Sequence, residues 1–168
     1  MKDEKVKINM RVGQRLREVL EGRAAVEDIR VGTLTNRLLQ EELGKVLAVG
    51  AEHCVVEGED EYEQHREEIA KSRDQYYIFP SDAAVDDNMS TKEDNTVFPQ
   101  ISLYFTKEQH EVMNEIVLRR GAWKTVQNGH VKSYRYVIVG MLLNNPACRK
   151  LGAAGKLSLI HISEPTRQ

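Results

Sequence analysis

Four polar side chains near the amino terminus lie at alternate positions along the chain. They are Lys5, Lys7, Asn9 and Arg11, and the positions between and after them are apolar: Val6, Ile8, Met10 and Val12. Side chains of these polar types hydrogen-bond with the edges of nucleic-acid bases and with phosphate oxygens. Because successive side chains of a β-strand point to opposite faces, the pattern predicts a half-buried strand that presents the polar groups on one face.

The histidines and cysteines offer no comparable pattern. Four histidines are scattered without a repeated ligand spacing: His53, His65, His110 and His130. The chain has no Gly-rich phosphate loop and no Ser or Cys nucleophile in a recognisable setting. His65 lies near Glu67 and Glu68, which would suit a metal ion, but its acidic surroundings favour a solvated segment instead. Cys54 and Cys148 follow no paired spacing, which predicts free thiols. We therefore expect no enzyme, no metal site and no cofactor.

Charge is distributed unevenly along the chain. Residues 1–48 carry 10 Lys+Arg against 8 Asp+Glu, residues 49–97 carry 4 against 14, and residues 98–156 carry 9 against 3. Two basic ends therefore flank an acidic middle, which the overall charge of −2 conceals. The longest apolar run is far shorter than the roughly 20 residues of a membrane-spanning helix, and no signal-peptide pattern begins the chain. These features predict a cytoplasmic protein.

Two amphipathic stretches follow the alternating segment. The first places Leu16, Val19, Leu20 and Ala24 at helical spacing, and the second places Leu34, Leu38, Leu39, Leu43, Val46 and Leu47 on one face. Thr33 stands before the second stretch with Asn36 three residues later, which predicts a helix start capped by the Thr33 hydroxyl. A strand and two short helices cannot bury enough apolar surface alone, so the unit is predicted to complete its core with a partner.

This order of strand, helix and helix resembles the ribbon-helix-helix family of Arc and MetJ type. The resemblance covers about residues 5–47, and its most specific part is the segment KINMRV. In that family two strands pair as an antiparallel ribbon that enters the major groove of DNA. The resemblance implies that the base-contacting residues are Lys7, Asn9 and Arg11. It also implies phosphate contacts by the start of the second helix and the strand, at Lys5, Gly32, Thr33 and Leu34. One departure from the family is a turn between the helices, around Glu27 to Gly32, that looks longer than usual.

The acidic middle is poor in periodic apolar residues. Residues 49–97 are therefore predicted to form a flexible linker, in which QYYIFP at 75–80 is either a short strand or a locally apolar patch.

The pattern of the amino-terminal unit recurs in residues 98–150. Ile101, Leu103 and Phe105 alternate with a neutral polar row, Gln100, Ser102 and Tyr104, which would form a second ribbon strand. Thr106 and Gln109 form a predicted capping box, followed by two apolar helical stretches. The predicted fold class is thus mainly α with a short β-ribbon, as two ribbon-helix-helix units in tandem. The second strand pairs either with the first strand of the same chain or with a second copy.

The last segment of the chain is set apart from the fold. Residues 157–168, LSLIHISEPTRQ, resemble a translated sequencing-library adapter, so we expect a non-native tail and a missing natural carboxy terminus.

The function that the whole pattern predicts is sequence-specific double-stranded DNA binding by a homodimer or an intrachain pseudo-dimer. Such a protein would act as a transcriptional repressor or as an accessory protein of a plasmid, for example in conjugation. The alternative is a protein-interaction module resembling an antitoxin.

Overall fold

A computed structural model describes residues 5–119, 126–127, 130–131 and 134–149. Within them the chain is mainly helical with small two-stranded sheets. The strands are β1 (Lys5–Met10), β2 (Cys54–Val56), β3 (Tyr77–Phe79), β4 (Ile101–Thr106), β5 (Val126–Gln127) and β6 (His130–Val131). The helices are α1 (Gln14–Glu27), α2 (Val31–Val49), α3 (Asp60–Gln64), α4 (Arg66–Lys71), α5 (Asp82–Asp86), α6 (Lys92–Val97), α7 (Lys107–Arg119) and α8 (Tyr134–Asn144). Single turns of 3-10 helix cover Ala51–His53 and Arg73–Gln75.

Strands β1 and β4 pair antiparallel within the chain, and we call this pair the ribbon. Its register sets Ile8 opposite Leu103 and Met10 opposite Ile101. These apolar side chains face the core, where Met10, Ile101, Leu103 and Phe105 are buried. Of the two pairings that the sequence left open, the structure has the intrachain one.

Helices α1 and α2 pack their apolar faces against the ribbon. Leu16, Leu20 and Ala24 of α1 and Leu34, Leu38, Leu39, Leu43 and Val46 of α2 are all buried, as their spacing predicts. The connection between the helices consists of only three residues, Asp28 to Arg30, and Asp28 turns the chain with a φ of 60°. The prediction of a longer turn is therefore wrong, because α2 begins before Gly32.

The prediction of a cap at Thr33 is also wrong. Arg30 is the residue that precedes the first turn of α2, and no side chain caps this helix. Gly32 and Thr33 lie inside the first turn instead, where a threonine hydroxyl cannot act as the cap. A helix can begin without a capping side chain when packing fixes its start, and Leu34 in this turn is fully buried.

The structure differs from the prediction of a flexible linker over residues 49–97. Short helices alternate with β2 and β3, which pair in parallel, and Val56, Phe79 and Val85 are fully buried. The apolar residues of this segment are few, but they are concentrated on β2, on β3 and on one face each of α4 and α5. Phe79 packs closely on α8: a Cβ at Gly140 would lie 2.8 Å from the Phe79 ring.

The middle segment also contacts the end of β1. Val12 forms an isolated antiparallel bridge with Met89, and the Gly13 N–H donates to the Asn88 carbonyl at 2.9 Å. A Cβ at Gly13 would lie 2.9 Å from backbone atoms of both partners. Glycine is therefore required here by the close approach of a second backbone segment.

Strand β4 and helices α7 and α8 follow one another in the order that the spacing predicts, and two further short strands separate the helices in the sequence. Gln109 N–H donates to the Thr106 hydroxyl at 3.1 Å, and Thr106 N–H donates to Gln109 Oε1 at 2.9 Å. This confirms the capping box at the start of α7. The short antiparallel pair β5 and β6 lies between α7 and α8 in the chain. The tail at 157–168 lies outside the described residues. Among the described helices, none combines the length and the apolar character needed to cross a membrane.

Candidate nucleic-acid interface

The ribbon presents one face to solvent, and the polar residues of β1 lie on it. Lys5, Lys7 and Asn9 are exposed. The register sets them opposite Thr106, Tyr104 and Ser102 of β4, respectively. The two polar rows predicted from the sequence therefore form one surface, which combines ammonium, amide, hydroxyl and phenol groups.

Two contacts connect the rows across the ribbon. The Ser102 hydroxyl donates a hydrogen bond to Asn9 Oδ1 at 2.8 Å. Lys7 Nζ lies 6.0 Å from the centroid of the Tyr104 ring, at the limit of a cation–π contact. Tyr104 itself is 43% exposed, which is high for a large aromatic side chain of a sheet.

Arg11 and Gln100 lie beyond the paired residues, at the end of the ribbon. Arg11 is half-buried and donates from Nε to the Phe98 carbonyl at 2.8 Å. Both residues line a surface cleft of about 290 Å³ together with Asn95, Tyr134 and Arg135, among others. The described part of this lining contains two arginines and no carboxylate. Arg11 is thus tied to the end of the ribbon, where Asn9 lines the same cleft, while Lys7 lies in the middle of the paired residues.

The first turn of α2 supplies backbone donors next to β4. The N–H groups of the first residues of any helix have no intrahelical acceptor, which makes Gly32 and Thr33 suitable phosphate-binding residues. Leu34 does not suit that role, because its N–H donates to the Arg30 carbonyl at 3.0 Å and its side chain is fully buried.

Asn36 fixes this turn to the ribbon. Its Nδ2 donates to the Ser102 carbonyl at 3.0 Å and to the Gly32 carbonyl at 2.8 Å, and its Oδ1 accepts from the Tyr104 N–H at 2.9 Å. One amide side chain therefore replaces a strand neighbour along the outer edge of β4. The sequence does place Asn36 near the helix start, but nothing in it indicates a contact with a strand 66 residues away.

A cluster of three charges lies beside the connection between α1 and α2. Glu27 accepts two hydrogen bonds from Arg37, at 2.8 and 2.9 Å, and one from Arg23 at 2.9 Å. The bonds from Arg37 and then from Arg23 lower the pKa of the Glu27 carboxyl to about 2. The cluster thus carries a net positive charge at neutral pH and holds the end of α1 against α2.

The described residues contain no group of three side chains able to hold a metal ion. His53 and His65 each direct Nδ1 at a backbone carbonyl of the preceding turn, at 3.1 and 3.0 Å. Glu42, a buried carboxylate, is bound by the Tyr77 hydroxyl at 2.7 Å, by Asn145 and by Lys45. These contacts give each group a structural role.

Comparison of the chain with protein-family models, with curated proteins and with solved structures gives no match in any of the three.

Proposed function

We propose that this protein binds double-stranded DNA in a sequence-specific manner by inserting its ribbon into the major groove. The chain would then be a tandem ribbon-helix-helix protein, in which β1-α1-α2 and β4-α7-α8 are the two units. Its role would be that of a transcriptional repressor or of an accessory protein of a plasmid or other mobile element.

The observation that carries the proposal is the composition of the exposed face of the ribbon. A two-stranded ribbon has the width of the major groove, and its outward side chains then reach base edges. Lys7 and Asn9 are exposed on this face. An asparagine can pair with adenine N6 and N7, and a lysine can reach guanine or a phosphate, each good contact discriminating by about 1–3 kcal/mol.

The position of α2 supports the same proposal. Asn36 holds the first turn of α2 at the outer edge of β4, and in this proposal the backbone N–H groups of Gly32 and Thr33 would bind a phosphate next to the groove-bound ribbon. Arg30, immediately before the helix, is exposed as well. Backbone donors at a helix start bind phosphate, and a groove-bound ribbon is flanked by phosphates.

The intrachain ribbon makes a separate prediction about association. If the two units form one pseudo-dimer, the midpoint of urea unfolding does not depend on protein concentration, because folding requires no second chain. An obligate homodimer would gain about 1.4 kcal/mol of apparent stability per tenfold rise in concentration.

Duplex binding tests the function directly. The full chain is first used to select duplexes from a random pool, and its affinity for the selected and for a random duplex is then measured over a salt series. Asn9→Ala is expected to cost about 1–3 kcal/mol on the selected duplex and little on the random one. Lys7→Ala is expected to weaken binding and to reduce the salt slope by about 1 if the ammonium contacts a phosphate.

The matched controls replace a lysine and an asparagine that are exposed on helices instead of on the ribbon. Lys71→Ala lies at the end of α4 and Asn114→Ala lies on α7, and both are expected to bind like the parent. The proposal fails if the parent binds no duplex at low salt, or if the ribbon variants bind as the parent does. In that case the protein-interaction alternative would take its place.

A further inference from the structure

The two strands of the ribbon are chemically different. All the positive charge on the paired outward positions belongs to β1, at Lys5 and Lys7, whereas β4 contributes two hydroxyls and a phenol. In a ribbon built from two copies of one strand, a twofold axis would repeat the same outward side chains in both halves. Such a ribbon reads an inverted repeat in DNA. This ribbon has no such symmetry, because its two strands come from different parts of one chain.

We propose that the chain recognises a non-palindromic duplex, which β1 reads while Ser102 and Tyr104 of β4 act as positioning residues for Asn9 and Lys7. This inference rests on the proposed function and specifies the class of DNA. It also assigns the polar residues of β4 a role different from that of a second reading strand.

Ser102 restrains the Asn9 side chain on the exposed face of the ribbon. Its hydroxyl donates to Asn9 Oδ1 at 2.8 Å, and this bond limits the conformations that the amide samples before DNA binds. A carbonyl-type oxygen has two lone pairs, so Oδ1 can still accept from adenine N6 while Nδ2 donates to N7. Fixing a side chain before binding improves affinity by roughly two- to tenfold, because less rotamer freedom is lost on binding.

Ser102 is itself fixed by the fold. Its backbone carbonyl accepts from Asn36 Nδ2 at 3.0 Å, and its side chain is half-buried beside Asn9. Ser102 therefore links the Asn9 side-chain amide to Asn36, and through Asn36 to the first turn of α2. No equivalent hydroxyl stands opposite Lys7, where the register places Tyr104.

Tyr104 restricts the Lys7 ammonium in a different way. The ring centroid lies 6.0 Å from Lys7 Nζ, and the Tyr104 N–H is bound by Asn36 at 2.9 Å. The ring face attracts the ammonium, which favours lysine conformers that lean toward β4. The Tyr104 side chain adds no positive charge to the exposed face.

The experiment combines the duplex selection with a double-mutant cycle. The selected motif is expected to be non-palindromic and to bind one chain, as measured by native mass spectrometry. Duplexes made palindromic from either half of the motif are expected to bind at least tenfold more weakly. Ser102→Ala is expected to reduce discrimination at a single base pair by about two- to tenfold, to leave affinity for a random duplex unchanged, and to have no further effect in the Asn9→Ala background. Ser102→Thr, which keeps the hydroxyl, restores the discrimination.

Several results would overturn the inference. A palindromic motif occupied by two chains would contradict it while leaving the proposed function intact. So would a Ser102→Ala variant that weakens all duplexes alike, or whose effect persists fully without Asn9, because Ser102 would then act independently of the reading amide. If the parent selects no duplex at all, both the inference and the proposed function fail.

Discussion

Replacing Asn36 by alanine is expected to loosen the attachment of α2 to the ribbon. The side chain makes two hydrogen bonds to the backbone of β4, at 3.0 Å to the Ser102 carbonyl and at 2.9 Å to the Tyr104 N–H. Both backbone groups lie on the outer edge of β4, whose only strand neighbour among the described residues is β1. The substitution leaves these two groups without the partner that the fold provides.

The magnitude follows from the lost bonds, which are the two to β4 and a third from Asn36 Nδ2 to the Gly32 carbonyl of the same helix at 2.8 Å. A typical intramolecular hydrogen bond contributes about 0.5–1.5 kcal/mol net, and water can replace part of it at this half-exposed edge. Alanine favours a helix over asparagine by up to about 0.7 kcal/mol, which offsets some of the loss. We expect Asn36→Ala to lower the free energy of unfolding by about 1–2 kcal/mol.

The assay is urea denaturation followed by circular dichroism, with Asn114→Ala as the control. Asn114 is exposed on α7 and accepts one bond, from the Tyr134 hydroxyl at 3.2 Å. The control gains the same helix propensity without losing a contact to a strand, so it should stay within about 0.5 kcal/mol of the parent. Asn36→Asp should destabilise at neutral pH as well, because a carboxylate oxygen then faces the Ser102 carbonyl. Equal midpoints and equal slopes for Asn36→Ala and the control would show that the bonds to β4 do not stabilise the attachment of α2.

Three further predictions concern the rest of the fold. Gly13→Ala is expected to lower the free energy of unfolding by about 1–3 kcal/mol, since its new Cβ would lie 2.9 Å from neighbouring backbone atoms. Gly22→Ala should raise the free energy of unfolding by about 0.5–1 kcal/mol, because no atom lies within 4 Å of its new Cβ. Equal effects of the two substitutions in urea denaturation would contradict both expectations. Burial raises the pKa of the Cys54 and Cys148 thiols to about 12, so iodoacetamide at pH 8 should modify the native chain roughly a thousandfold more slowly than the chain in urea; comparable rates would show that the thiols are accessible. The Glu27 carboxyl has its pKa lowered from 4.5 to about 2, so its stabilising contribution is complete above about pH 4.5 and is lost as the pH falls toward 2. Glu27→Gln should flatten this part of the stability profile, and an unchanged profile would argue against the contacts with the two arginines.

The elements nearest the proposed interface could be predicted because their residues follow local rules. Alternation over residues 5–12 and 100–105 defines the two faces of the ribbon whatever the partner strand is. The capping box of Thr106 and Gln109 requires only a spacing of three residues, and the structure contains both of its hydrogen bonds. Helical spacing likewise identifies the buried leucines of α2.

Other features depend on contacts between distant residues, which composition does not reveal. The composition of residues 49–97 resembles that of a linker because charged residues are numerous, yet Val56 and Phe79 are buried by β2, β3 and α8. The sequence predicts the start of α2 three residues too late, because it offers Thr33 as a cap and the fold uses Arg30 without any capping side chain. Leu34 was predicted to contact phosphate from its place after Gly32 and Thr33, and only the position of the helix start shows that its N–H is already bound.

Folding requires apolar residues on the inner face of the ribbon, but it does not specify which residues stand on the exposed face. A slip of one residue in the pairing of β1 with β4 would turn Ile8 and Met10 to solvent and Lys7 and Asn9 into the core. The burial of the apolar row therefore fixes which side chains point outward, but not what those side chains are. Any polar residue at positions 7 and 9 would satisfy the fold, so their identity as lysine and asparagine is not explained by stability. Substitutions there should leave the free energy of unfolding within about 0.5 kcal/mol of the parent, and a functional effect in a stable variant would then be attributable to the exposed face alone.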